Sequence, residues 1–369
     1  MMKHYKHQIQ TILLGLLLLV MALLCWFHPE QLYSDSERRV LAGAPELSWE
    51  EIRSGDYMRD FEAYTLDQFP GRDGFRRLKA VSALELFRQL DNNGLYSAMG
   101  YTSKLEYPMH QNMMDHAAGR FQRIWDLYLK DSGGPVWLSI IPDKNCWLAE
   151  ESGRLSLDYD QFIQTFRSLA GEEMTYIDIT PCLSLEDYYR TDTHWRQESI
   201  SDVAQTLAAA MGRELNGEYE TVTLEEPFYG VYYGQSALPL LPDRLSYLTN
   251  ETLENCTLTS YDTGKPVDKE IYDLSQAGSR DPYELFLSGS DALQVLENPN
   301  ADTDRELIIF RDSFASSLVP LLAEGWSSIV LVDIRYVDPA MLGAFIDFHG
   351  QDVLFLYSTL LLNNSLGLR

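Results

Sequence analysis

The chain of 369 residues is poor in cysteine, with four in all. No Cys-x-x-Cys pair or Cys/His cluster occurs, which argues against a zinc site. Cys25 lies in an apolar run near the N-terminus, whereas Cys146, Cys182 and Cys256 lie in the body of the chain. These three permit one internal disulfide at most, and buried free thiols are the alternative. We expect neither a metal nor a bound cofactor.

Basic residues are also scarce. The 29 Lys and Arg stand against 55 Asp and Glu, which gives a formal net charge of −26. A surface of this sign repels phosphate backbones, so nucleic-acid binding is not expected. Neutral glycans, small molecules and cationic polymers stay compatible with it. Internal repeats and low-complexity tracts are lacking too, and the 45% of hydrophobic residues supply a full globular core.

An apolar run without any charged residue extends from Thr11 to Phe27, and Lys3 and Lys6 precede it. A basic flank before such a run is typical of a signal peptide or a signal anchor, with the lysines on the cytoplasmic side. The run is slightly short for a spanning helix, and a buried helix of a soluble protein is the alternative.

Cleavage of this run is not expected. No Ala-x-Ala pattern ends it, and Leu24 before Cys25 is too bulky for the usual lipoprotein site. We therefore expect residues 1–28 to be an uncleaved anchor. The residues after Pro29 then lie outside the cytoplasm, in a single-pass protein of the cell membrane.

Beyond the anchor, we expect a polar stalk with a leading helix over residues 29–65 and one domain over 66–369. Short apolar runs that alternate with helical patterns predict an α/β fold, with a mostly parallel sheet flanked by helices. The predicted strands are Val136–Ile141, Thr175–Ile179, Glu306–Phe310, Ser328–Val332 and Val353–Tyr357. The predicted helices are Tyr159–Leu169, Ser199–Met211, Phe314–Glu324 and Pro339–Phe348. Residues from about 215 to 300 predict an insertion of loops and short strands.

Functional residues of an open parallel sheet gather at the carboxyl ends of its strands. Ser313 follows one predicted strand and directly precedes a predicted helix. A backbone N–H and the helix dipole at that helix start can stabilise an oxyanion, which makes Ser313 a candidate nucleophile. The alternative is that Ser313 merely caps the helix.

A serine nucleophile needs a base, and His194 is the candidate among seven histidines. In an extended segment residues i and i+2 face the same side. Asp192 can then accept a hydrogen bond from Nδ1 of His194, which leaves Nε2 free to take the proton of Ser313. The spacing also suits a metal, but no third ligand is visible nearby. The sequence predicts a triad of Asp192, His194 and Ser313.

Several motifs in one order resemble those of the DHHW proteins, relatives of the AlgX/AlgJ-type polysaccharide O-acetylation proteins in the SGNH hydrolase superfamily. The resemblance covers most of the predicted ectodomain. Its motifs are Ser36-Glu37-Arg38-Arg39-Val40-Leu41, Asp67-Gln68-Phe69-Pro70-Gly71-Arg72-Asp73, Ile141-Pro142-Asp143-Lys144, Asp192-Thr193-His194-Trp195, Gly230-Val231-Tyr232-Tyr233-Gly234, Arg311-Asp312-Ser313-Phe314-Ala315, Asp333-Ile334-Arg335-Tyr336, and Tyr357 with Asn363.

The resemblance implies an SGNH-like O-acetyltransferase with Asp192 as acid, His194 as base and Ser313 as nucleophile. Such an enzyme moves an acetyl group onto an exported or cell-surface polysaccharide, here through an acetyl-serine. The resemblance also implies a partner, a membrane-bound acyltransferase that delivers the acetyl group. Gly234 and Asn363 are assigned to the oxyanion hole.

Two positions depart from the family pattern. Thr193 stands where the family name has a second histidine, and the residue assigned as base is retained. Arg311 stands in place of the glycine of the superfamily's Gly-Asp-Ser, so a larger residue lies beside the nucleophile and bears on substrate approach. Trp195, Tyr232 and Tyr233 are candidates for stacking on sugar rings, with a place in the core as the alternative.

Two other functions stay open. An esterase that removes acetyl groups from a surface glycan uses the same triad. A catalytically inactive, membrane-anchored scaffold is the other possibility, although the complete triad argues against it.

Overall fold

The computed structural model describes residues 2–369 and divides the chain into two compact units. The smaller unit contains Met1–Asn92 and Gly234–Pro239, and the larger contains Asn93–Tyr233 and Leu240–Arg369. The first unit thus extends beyond the expected boundary at residue 65. The reason is a set of ion pairs that joins residues on either side of that boundary.

Two half-buried carboxylates form these ion pairs within the smaller unit. Asp67 accepts hydrogen bonds from both guanidinium nitrogens of Arg39, at 2.8 and 2.5 Å, and from the backbone N–H of Ala42 at 2.9 Å. Glu37 pairs with Arg72 and, at 3.1 Å, with Arg76. Residues 72–81 therefore belong with the N-terminal segment. The elements of this unit are α1 (Met2–Phe27), β1 (Tyr33–Ser34), β2 (Arg39–Val40), α2 (Trp49–Ser54), α3 (Asp56–Asp67) and α4 (Arg72–Val81), after which a π-helical turn covers Ser82–Leu86.

Helix α1 contains the predicted anchor. Its segment Tyr5–Phe27 has a mean hydropathy of 2.5 and is not buried against the rest of the chain. At 1.5 Å per residue, its 23 residues extend about 35 Å, which exceeds the roughly 30 Å hydrocarbon core of a bilayer. The helix is therefore long and apolar enough to cross a membrane.

The larger unit is an α/β domain. Its strands are β3 (Leu95–Ala98), β4 (Tyr101–Lys104), β5 (Val136–Ile141), β6 (Thr175–Tyr176), β7 (Glu220–Phe228), β8 (Asp243–Thr249), β9 (Thr257–Ser260), β10 (Val267–Lys269), β11 (Leu293–Glu297), β12 (Glu306–Arg311), β13 (Ser328–Val332) and β14 (Asp352–Ser358). The remaining helices of the chain are α5 (Gln111–Ile124), α6 (Asn145–Ser152), α7 (Tyr159–Ala170), α8 (Ser201–Ala210), α9 (Val231–Ser236), α10 (Glu251–Asn255), α11 (Ala315–Leu322) and α12 (Thr359–Leu362). Of these, α9 has its last three residues in the smaller unit.

Within residues 2–369, the main sheet has eight strands in the order β10-β9-β11-β13-β12-β14-β5-β6. The strands from β13 to β6 are parallel, and β11, β9 and β10 add an antiparallel edge. The predicted mostly parallel α/β sheet is confirmed. The insertion supplies the antiparallel edge, and β7 and β8 form a separate antiparallel pair.

Helices cover both faces of the sheet because alternate residues of each strand point to opposite sides. In β12, Leu307 and Ile309 join the core that contains helices α8 and α11. Ile308 and Phe310 join the core on the other face, which contains α5 and α7. One predicted helix differs: Pro339–Ala344 is a 3₁₀ helix capped by Asp338.

Candidate active site

Ser313 lies in the turn that joins β12 to α11, at the carboxyl end of the parallel strands. Asp312 fixes this turn. Its Oδ1 accepts a hydrogen bond from the backbone N–H of Phe314 at 3.0 Å. Its Oδ2 accepts bonds from the backbone N–H and the hydroxyl of Ser358, at 2.8 and 2.6 Å. The end of β14 therefore holds the turn in place.

His194 meets Ser313 with one ring nitrogen and Asp192 with the other. Its Nε2 lies 2.8 Å from Oγ of Ser313, and its Nδ1 lies 2.6 Å from Oδ1 of Asp192. Asp192 also accepts the backbone N–H of His194 at 3.1 Å and that of Val231 at 2.8 Å. The three side chains thus form one continuous hydrogen-bonded path, in the order acid, base, hydroxyl.

The carboxylate of Asp192 is fully buried and nevertheless favours its charged form. Burial works to raise its pKa, but the charge of His194 and hydrogen bonds from His194 and Val231 outweigh burial and lower the pKa below its usual value. An ionised Asp192 accepts from Nδ1–H, which leaves Nε2 as the acceptor for a hydroxyl proton.

Two aromatic rings enclose the imidazole. Tyr283 stacks on it with ring centroids 3.8 Å apart and an interplanar angle of 4°, and Phe314 meets it edge-on at 4.9 Å. The hydroxyl of Tyr283 bonds to Oγ of Ser317 at 2.9 Å. Tyr283 comes from the insertion, where no sequence pattern linked it to His194.

The loop that carries Asp192 is fastened by the buried side chain of Lys144. Its Nζ donates to the backbone carbonyls of Tyr189 at 2.6 Å and Asp192 at 2.5 Å, and approaches that of Arg190 at 3.4 Å. Burial lowers the pKa of Lys144 to about 7, against the charges of nearby aspartates, of which Asp192 contributes most. The sequence motif contained Lys144, but its position at the site follows from the fold alone.

Asp243 also holds this loop. It accepts the backbone N–H groups of Arg190 and Thr191 at 2.9 and 2.8 Å and the hydroxyl of Thr191 at 2.6 Å. Gly230 closes over the loop, since its N–H donates to the hydroxyl of Thr191 at 3.0 Å. A Cβ on Gly230 would lie 2.3 Å from that of Asp192, so glycine is required there.

The two expected oxyanion residues are engaged in other contacts. Gly234 belongs to the smaller unit, where a Cβ would lie 1.3 Å from the carbonyl oxygen of Ser36. Asn363 is fully buried, and its Nδ2 already donates to Glu106 at 2.6 Å and to the carbonyl of Pro108 at 3.0 Å. Gly234 is therefore explained by close packing, and Asn363 by a buried polar network.

Trp195 and Arg311 lie beneath the site rather than on its surface, and both are fully buried. The indole N–H of Trp195 donates to the carbonyl of Phe314 and to Oγ of Ser317, both at 3.0 Å. Arg311 donates to Ser316 at 3.1 Å and to Gln294 at 3.2 Å. Neither side chain offers a face to a sugar ring.

Of the other aromatic candidates, Tyr232 is also buried, and its hydroxyl bonds to that of Thr193 at 3.1 Å. Tyr233 is partly exposed and lies against the exposed Tyr229, with ring centroids 4.5 Å apart. These two rings are the aromatic surface next to Gly230.

Several known proteins have a fold similar to that of this chain. Residues 102–263 match the family model of the SGNH hydrolase-like domain of the acetyltransferase AlgX. A DHHW family protein from Eubacterium siraeum DSM 15702 superposes with a TM-score of 0.61 at 21% identity, over 75% of this chain and 95% of that chain. Bacillus cereus PatB1, solved with a sulfonyl adduct, superposes with a TM-score of 0.59 at 17% identity, over 73% and 95%. No curated protein matches the sequence significantly.

By these matches, the fold of the larger unit is similar to that of SGNH-like α/β domains. The predicted resemblance to the DHHW and AlgX-type proteins is confirmed, as similarity of fold and, over residues 102–263, of sequence.

Proposed function

We propose that this chain is an extracytoplasmic serine O-acetyltransferase that moves an acetyl group onto a cell-surface or exported polysaccharide. The observation that carries the proposal is the hydrogen-bonded path from Asp192 through His194 to Ser313. The match of residues 102–263 to the domain of an acetyltransferase supports transfer over other serine chemistry.

The proposed reaction proceeds in two acyl-transfer steps. Nε2 of His194 takes the proton of Ser313 as Oγ attacks the acyl carbonyl of the donor, and then gives this proton to the leaving group. The product is acetyl-Ser313. His194 next takes a proton from a sugar hydroxyl, which attacks the acetyl group, and returns the proton to Ser313. Asp192 stays ionised and stabilises the imidazolium in both steps.

The developing oxyanion needs a hydrogen-bond donor beside Ser313. We assign this role to the backbone N–H of Ser313, because the N–H groups of the next three residues already bond to Asp312 and to the carbonyl of Ser313. Helix α11 begins two residues later, and the positive end of its dipole favours negative charge at this turn. With Gly234 and Asn363 engaged elsewhere, this assignment uses a group of the turn itself.

Two further features support the proposed acceptor and location. The rings of Tyr229 and Tyr233 supply a stacking surface of the kind that binds sugars. The apolar helix Tyr5–Phe27 anchors the chain in the cell membrane, next to the membrane-bound acyltransferase that we propose as acetyl donor.

The test uses the full chain in detergent micelles, incubated with an activated acetyl ester and analysed by intact mass. We expect the wild type and the control Ser168→Ala, at an exposed helix position, to gain one acetyl group. Ser313→Ala should gain none. An adduct that discharges faster to a glycan than to water supports transfer.

Three outcomes contradict the proposal. Discharge to water alone, with no acceleration by any glycan, identifies an esterase. An adduct that persists in Ser313→Ala, or that never forms in the wild type, removes the catalytic role of the triad and leaves an anchored scaffold.

A further inference from the structure

The smaller unit exposes an unusual amount of apolar side chain along residues 72–90, which form α4, the π-helical turn and the residues after it. Six apolar side chains of this segment are between 37% and 72% exposed. They are Phe75, Leu78, Val81, Leu86, Phe87 and Leu90. In contrast, Ala80, Ala83 and Leu84 are the residues of the segment that the unit buries. The apolar surface is therefore a face of the segment that the fold leaves uncovered.

Basic side chains border this face. Each helical residue advances by about 100°, so Phe75 and Val81 lie about 60° to either side of Leu78. Lys79 and Arg77 lie about 100° to either side of Leu78, and both are exposed. The solvent side of α4 is thus an apolar stripe with one cation along each border. The π-helical turn then brings Leu86 and Phe87 to the surface beyond it.

The charge of the segment is opposite to that of the whole chain. Residues 72–90 contain five basic and two acidic residues, a net charge of +3, whereas the chain carries −26. Within the unit, Arg72 and Arg76 pair with Glu37 and Arg88 pairs with Glu85, and Arg77 and Lys79 are the basic residues on the borders of the stripe. A helix with a basic border around an exposed apolar stripe is typical of segments that lie in the interface of an anionic membrane. The segment therefore matches a lipid surface in both charge and apolar character.

The same unit contains the apolar helix Tyr5–Phe27, whose end exposes Trp26 and Phe27. Aromatic residues at the end of a spanning helix are typical of the membrane–water interface. A unit that begins at such an interface lies close to the bilayer. The bilayer itself can therefore cover an apolar face of this unit, without a second protein.

We propose that residues 72–90 form a second membrane contact, in which Phe75, Leu78 and Phe87 insert at the headgroup level of anionic lipids. Arg77 and Lys79 meet the lipid phosphates. This contact holds the smaller unit against the outer surface of the bilayer. A single spanning helix would tether the unit without fixing its orientation. The contact is independent of the acyl-transfer chemistry proposed for the larger unit.

The test reconstitutes the full chain in lipid nanodiscs, one set of phosphatidylcholine alone and one that also contains phosphatidylglycerol. Backbone hydrogen exchange is then measured by mass spectrometry. We expect peptides from residues 72–90 to exchange several-fold more slowly in the discs with phosphatidylglycerol. Peptides from β5, in the buried sheet, should exchange equally in both and report that the fold is intact.

Two double variants separate the charged from the apolar part of the contact. Arg77→Glu with Lys79→Glu should abolish the difference between the two kinds of disc. Leu78→Glu with Phe87→Glu should make residues 72–90 exchange faster than in the wild type in both kinds of disc. The matched control, Lys130→Glu with Leu241→Glu, changes an exposed cation and an exposed leucine of the larger unit, and should retain the wild-type pattern.

Two results would overturn the proposal. Equal exchange of residues 72–90 in both kinds of disc excludes an anionic lipid contact. Protection that rises with protein concentration and ignores lipid composition assigns the face to a second copy of the chain.

Discussion

At the scale of single residues, His194 is positioned by contacts of two kinds. Hydrogen bonds to Asp192 and Ser313 fix the rotation of the ring in its own plane. The stacked ring of Tyr283, at 3.8 Å and nearly parallel, fixes the plane itself. Tyr283 neither takes nor gives a proton in the proposed mechanism and acts through His194, and it is therefore a positioning residue.

Replacing Tyr283 tests this role. Tyr283→Leu should lower kcat for ester turnover by about 2- to 10-fold with little change in KM, since aromatic pairs contribute about 0.5–1.5 kcal/mol. Tyr283→Phe retains the stack and should retain kcat, although it loses the hydrogen bond to Ser317. Steady-state kinetics of the full chain measures both. Equal losses in the two variants would show that the hydroxyl, and not the stack, matters.

At the scale of elements, the loop of residues 189–194 is held by groups from distant parts of the chain. Lys144 follows β5 and donates to the loop carbonyls, while Asp243 at the start of β8 accepts hydrogen bonds from the loop N–H groups. Within the loop itself, the backbone N–H of Tyr189 donates to the carbonyl of His194 at 3.1 Å. The position of the residues between them, and with it the aim of Asp192, depends largely on the two ionisable residues.

Lys144→Met should lower the free energy of unfolding by about 2–4 kcal/mol, because buried carbonyls lose their donor. Chemical denaturation of the full chain in detergent, with Lys130→Met as the exposed control, measures this difference. The pKa of Lys144 is about 7 in the folded chain and near 10.5 when unperturbed. The folded state therefore binds fewer protons between these values, so the wild type should gain stability relative to Lys144→Met as the pH rises from 7 to 10. A difference that stays constant over this range would contradict a buried, titrating lysine.

At the scale of the whole molecule, the chain combines an apolar helix, a small unit held by ion pairs and an α/β unit with the triad. The helix Tyr5–Phe27 is not buried by the rest of the protein. Its apolar surface requires a nonpolar environment, and the proposed location in the membrane provides one.

The anchor is tested by placing charges in the helix. The wild type should stay in the membrane fraction after alkaline carbonate extraction. Leu17→Arg with Leu18→Arg should release the chain or prevent its insertion, because each arginine at the centre of a spanning helix costs about 2.5–3.5 kcal/mol. Leu241→Arg, at an exposed position of the larger unit, is the control. Complete extraction of the wild type would exclude an integral anchor.

Local patterns in the sequence determined much of the fold. Strands β5 and β13 have the predicted bounds, because buried parallel strands are continuous apolar runs with clear ends. The order of strands and helices then determined the mostly parallel sheet. The Asp192–His194 spacing also predicted a hydrogen bond that the structure contains, since two residues of one short segment meet through local geometry.

The tertiary structure alone decided which distant residues meet. Gly234 and Asn363 were expected at the oxyanion hole, yet packing against Ser36 and a bond to Glu106 engage them elsewhere. Tyr283 and Lys144 lie at the site although no local pattern indicated it. The physical reason is that a periodicity in the sequence indicates which side chains of one element are buried and which face of the element they lie on. The contacts between elements depend on how loops and the insertion pack in three dimensions, and this information is spread over the whole chain.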